Sequence, residues 1–138
     1  MTQLEGPVRD DMGRLLVLGA QDVDALAWEP MLGQTGVFTK VLWRSGEVAI
    51  GLVRVDPGAE KAAHVHYGAH HHIWVVSGTA TMVGHQELAA GSYVYIPPGV
   101  MHEVTSVGPD GITFFCTYRP VEPRRSEPQF AGHAIFAQ

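Results

Sequence analysis

Gly58-Ala-Glu-Lys-Ala-Ala-His64-Val-His66-Tyr-Gly-Ala-His70-His71-His72-Ile-Trp-Val-Val-Ser-Gly78 holds five of the chain's eight histidines within nine residues. Neutral imidazole is the commonest protein ligand for zinc, iron, nickel and copper. Two histidines two apart on a strand point to one face, so His64 and His66 can grip one ion. A sixth, His102, follows Pro97-Pro98-Gly99. The stretch His71 to Val76 also reads as a strand in its own right. Ile73 and Val75 share a face with His71; Trp74 and Val76 share the other with His72. Both faces are apolar, so both need cover, one in a closed interior and one under a second layer or a second subunit.

Working outward, turn signals recur at the spacing of an all-β sandwich or barrel, and long helical periodicity is absent. Strands are expected at Leu15 to Leu18, Val37 to Trp43, Val48 to Val55, Ala62 to His66, His71 to Val76, Thr79 to Val83, Ser92 to Ile96, Met101 to Ser106 and Gly111 to Tyr118. A short helical turn fits Asp22 to Trp28, ended by Pro30. Arg44-Ser-Gly46-Glu reads as a hairpin turn, and Asp56-Pro57-Gly58 and Gly84-His85 read as bends. Gly108-Pro109-Asp110-Gly111 is the strongest turn signal of all. Three regions follow: an N-terminal strand and connecting segment over 1–35, a barrel core over 36–119 and an extended tail over 120–138. Phe130, Ile135 and Phe136 give that tail an apolar end that can dock on the barrel or a partner.

A chain of 138 residues fits one domain with a core of its own. A net charge of -5 argues against a nucleic-acid partner, which calls for a basic patch. No apolar stretch is long enough to span a membrane as a helix. The polar, acidic start is unlike a secretory signal, so the expected location is cytoplasmic. The single cysteine, Cys116, lies in an apolar run and reads as a small buried hydrophobe.

The glycine and histidine spacing resembles the cupin superfamily. Its first motif, G-x5-H-x-H-x3-4-E-x6-G, is matched by Gly58, His64, His66, His71 and Gly78, with His71 where the glutamate usually stands. Its second, G-x5-P-x-G-x2-H-x3-N, is matched by Gly91, Pro97, Gly99 and His102, with Ser106 in place of the asparagine. The two motifs occur in order, and the resemblance covers roughly residues 36–119. It implies a cupin double-stranded β-helix, a jelly-roll of two antiparallel sheets, in an all-β chain. It also implies one divalent metal ion held by His64, His66, His71 and His102. Zinc is the first expectation, with Fe(II), nickel or manganese as alternatives. Strand phase agrees on His71, and His70 is the reserve ligand if the register slips. His72 is expected outside, and His85 and His133 on the surface.

Four neutral histidines leave a divalent site near +2, whereas three and a carboxylate leave it near +1. The greater charge favours polarising a carbonyl and stabilising an adjacent enolate. His70 and Tyr67 could flank the mouth as proton-transfer groups. The expected pocket wall is apolar: Ile50, Leu52, Ile73, Val75, Met82 and Val104, with Phe114, Cys116 and Tyr118 from the last strand or its neighbour Phe115. Each of these also suits a structural core. Four-histidine single-domain cupins resemble bacterial aromatic polyketide cyclases, which makes a metal-dependent cyclase acting on a small apolar carbonyl compound the first expectation. A non-haem Fe(II) dioxygenase cleaving a diketone or aromatic ketone is the second, and a non-catalytic small-molecule-binding cupin the third. A homodimer is expected from the two-sided apolar strand and the sheet edges.

Overall fold

A computed structural model describes residues 15–45, 48–59, 69–82, 84 and 86–121. The expected strand Ala62 to His66 lies outside the described residues, and His64, His66, Tyr67, His85 and His133 with it. Among the described residues, one short helix, α1 (Ala20–Ala25), precedes seven strands: β1 (Glu29–Pro30), β2 (Val37–Ser45), β3 (Val48–Val55), β4 (Ala69–Met82), β5 (Glu87–Leu88), β6 (Tyr93–Ile96) and β7 (Val104–Pro120). All pairings are antiparallel, in the order β1-β2-β3-β7-β4-β5, with β6 beside β4.

Two strands are longer than their sequences suggest. The expected pair over 71–76 and 79–83 is one strand, β4, and the pair over 101–106 and 111–118 is one strand, β7. The Gly108-Pro109-Asp110-Gly111 signal therefore does not end a strand. Gly78 and Gly111 take positive φ (81° and 74°), and the β4–β7 register shifts between Val75 and Met82. A Cβ on Gly78 would collide with the Gly111 carbonyl. The two glycines thus let paired strands bend together, as a closing barrel requires.

The interior is set by alternation. On β3, Ala49, Gly51, Val53 and Val55 point inward and are buried. On β7, Ile112, Phe114, Cys116 and Tyr118 do the same, and on β4 His71, Ile73 and Val75. Each large apolar side chain so buried contributes roughly 1.5–3 kcal/mol.

The N-terminal segment differs from expectation at Leu15 to Leu18, which forms no strand and leaves Leu15 and Val17 largely exposed. α1 is begun by Asp22, whose carboxylate accepts the Gly19 N–H at 2.8 Å. The outer face of β2 and β3 is covered from this side. The buried Lys40 donates through Nζ to the Val23 carbonyl at 2.8 Å, near the last turn of α1. Trp28 lies between Lys40 Nζ (4.8 Å from its ring centroid) and the Arg54 guanidinium (4.9 Å).

Candidate metal centre and cavity

β4 carries His71 into the barrel because an inward set of every second residue includes Ile73 and Val75. His71 is 1% exposed. Its ring stacks on Tyr118, the residue directly across on β7, with centroids 4.1 Å apart and planes 21° from parallel. Burial pushes the Tyr118 phenol well above its ordinary pKa, and nearby Cys116 adds to this, so Tyr118 stays protonated. His102 arrives from the other direction, after the turn in which the Val100 N–H meets the Pro97 carbonyl. Its ring stands 6.2 Å from that of His71, edge toward face.

The His102 tautomer is fixed by its neighbour. Nδ1 lies 3.1 Å from the Val100 carbonyl oxygen, which can only accept. Nδ1 therefore carries the proton and the lone pair sits on Nε2, the arrangement that metal-binding histidines show. His71 and His102 both line an inner cavity of about 20 Å³, space for roughly one water-sized occupant. Ile73, Val75, Met82, Val104 and Phe114 wall it. Cys116 and Tyr118, also expected in the wall, lie buried on the same inward face of β7 but are not among the described lining residues of this cavity or of the larger one beyond it.

A second cavity, about 550 Å³, opens beyond the first, within the usual range for small-molecule pockets. His102, Met82 and Leu88 line both, so His102 stands between them. The larger cavity is otherwise lined by β6 and the 97–103 segment, including Val94, Ile96, Val100 and Met101. Glu103 is the one carboxylate among its described lining residues. Gln86, Leu88, Val94, Met101 and Glu103 were not expected there. For Met101 and Glu103 the signal was proximity to the Pro97-Pro98-Gly99 turn that presents His102.

Two expectations require correction. Ile50 and Leu52 do not line either cavity. They alternate with the buried Ala49, Gly51 and Val53 and so lie on the outer face of β3. Gly51 stands on the inward set, and a Cβ there would strike the Lys40 carbonyl, so only glycine fits that position. His70 is likewise on the face opposite His71, with Nδ1 2.7 Å from the Tyr95 hydroxyl. That orientation does not suit it as a substitute interior ligand. His72 is outside, as expected, 2.7 Å from the Tyr93 hydroxyl, and burial with Arg119 nearby lowers its pKa.

The residues present fit a metal. Two imidazoles converge on a cavity of single-water size, and one has its tautomer set for coordination through Nε2. Among the described residues no three potential ligands cluster, and the other two expected ligands, His64 and His66, lie outside them.

Comparison with known proteins gives the family. No curated protein matches the chain. Among solved structures it is similar to the polyketide cyclase RemF from Streptomyces resistomycificus, at 18% identity over 78% of this chain and 87% of that one, with a TM-score of 0.64. It is similar to an RmlC-like cupin from Shewanella frigidimarina, at 26% identity over 72% and 87%, TM-score 0.59. It is also similar to the anti-sigma ChrR of Rhodobacter sphaeroides, solved in complex with SigE, at 18% identity over 70% of this chain and 51% of that one, TM-score 0.59. The architecture is thus the cupin double-stranded β-helix. With a family model for the ChrR cupin-like domain matching residues 19–122, the chain belongs to that cupin family.

Proposed function

We propose that this chain is a metal-dependent cupin enzyme that activates the carbonyl of an apolar, aromatic or polyketide-like small molecule, with cyclisation as its reaction. The observation that carries the reading is His71. It replaces the carboxylate of the usual motif and faces inward beside His102, under a cavity of about 550 Å³. A divalent ion held by His71 and His102, with His64 and His66 completing the set, would supply Lewis-acid polarisation of a carbonyl oxygen.

The chain's own groups do the rest. The Val100 carbonyl holds the His102 ring in one tautomer. Tyr118 supports the face of His71 and, being protonated, adds no negative charge beside it. Met82, Val94, Val100 and Met101 offer an apolar bed for a flat substrate. Similarity to the polyketide cyclase RemF supports the substrate class.

The family match favours a second reading, a regulatory cupin in which a bound metal or small molecule alters a partner protein. Turnover separates the two. The metal of protein purified without added metal is identified, and a poly-β-ketone or β-diketone is then supplied anaerobically. Cyclisation without oxygen, with zinc supporting it, is the expected result. Turnover only with iron and oxygen would mean a dioxygenase, and no turnover under either condition would mean the regulatory reading.

A further inference from the structure

The outer face of the sheet is covered at one end and open at the other. The N-terminal segment covers β2 and β3 through Trp28 and the Lys40–Val23 bond. On β4 and β6, Trp74 is 53% exposed, Tyr93 54% and Val76 51%. Together with Tyr95 they make a contiguous aromatic strip: Tyr93 pairs with Trp74 and Tyr95 with His72 across the strands, the His72 and Tyr95 rings stack at 4.9 Å, and the two tyrosines also border the larger cavity. Exposed apolar strips of this kind mark docking sites.

We infer that the chain's own C-terminal segment, residues 122–138, docks on this strip through Phe130, Ile135 and Phe136. Three observations favour this occupant. β7 delivers the chain to the right corner, since Arg119 pairs with His70 and Pro120 with Ala69 at the near end of the strip. The length suffices. Trp74 lies four residues along β4 from His70, about 13 Å, while the nine residues from Val121 to Phe130 reach up to about 30 Å. The composition also suits: Pro123 and Pro128 favour an extended path, and the three large apolar residues come after it. The other terminal segment, residues 1–14, is mostly polar and acidic and offers no comparable cluster.

The test uses the full-length chain. Acrylamide quenching and emission of Trp74 are isolated by subtracting the same measurements on Trp74→Phe. They are compared with those of a Phe130→Ser, Ile135→Ser, Phe136→Ser variant, and sedimentation is followed in both. The expected result is a shielded Trp74 in the native chain, and a red-shifted, more readily quenched Trp74 in the variant, with no change in mass. Equal, high quenching in both would overturn the inference. So would shielding that survives the substitutions in a particle of two chains, because a second copy would then be the occupant. If the triple variant does not fold, trypsin cleavage at Arg124-Arg125 in a Trp74→Ser, Tyr93→Ser chain is the second measurement. Faster cleavage than in the native chain supports docking, and an unchanged rate overturns it.

Discussion

His71 lies face to face with Tyr118, ring centroids 4.1 Å apart, because the two residues are direct partners across β4 and β7. This contact sets the plane of the His71 imidazole. It also couples the site to the stability of the barrel, since Tyr118 is fully buried.

That coupling predicts an alkaline limb in stability. The Tyr118 phenol is held protonated in the fold, its pKa raised above the ordinary value of about 10. As pH rises past that value the unfolded chain loses this proton first, so stability present below pH ~10 is lost as pH climbs toward the folded pKa. Tyr118→Phe removes this dependence. Urea unfolding of metal-free protein between pH 8 and 11 should show a flatter alkaline fall in the variant, and an identical fall would contradict the assignment.

Alanine at Gly78 is predicted to destabilise the fold. Alanine there combines a strained positive φ with a collision against the Gly111 backbone. A loss of about 2–3 kcal/mol is expected, seen as a fall in Tm of roughly 10 °C. A Gly84→Ala control has a similar φ but nothing within 4 Å, and should cost less.

Lys40 is predicted to latch the N-terminal segment. Lys40→Met keeps the stem but loses the bond to the Val23 carbonyl and the cation over Trp28. The loss should be about 1.5–3 kcal/mol, as for a charged hydrogen bond, with Trp28 emission shifting red before global unfolding. A single cooperative transition at native stability would show that the bond contributes nothing.

Much of this was legible in the chain, and particular residues show where legibility ended. The inward phase of His71, Ile73 and Val75 followed from simple alternation, and their burial agrees. The same logic applies on β3, where Ile50 and Leu52 share a face with Arg54, whose charge marks that face as the outer one. Gly108-Pro109-Asp110-Gly111 looked like a chain reversal, yet β7 runs through it. Local turn propensity yielded to the long pairing with β4. The larger cavity was missed because part of its wall comes from an irregular segment, residues 97–103, with no period to read.

The central claim is that His71 and His102 hold a metal ion, and the most direct measurement is metal content. Full-length protein purified without added metal should carry about one divalent ion per chain, as expected for a single mononuclear site. His102→Ala should lose most of it with its secondary structure intact, and His71→Ala should do the same. Full metal retention in His102→Ala would contradict the account.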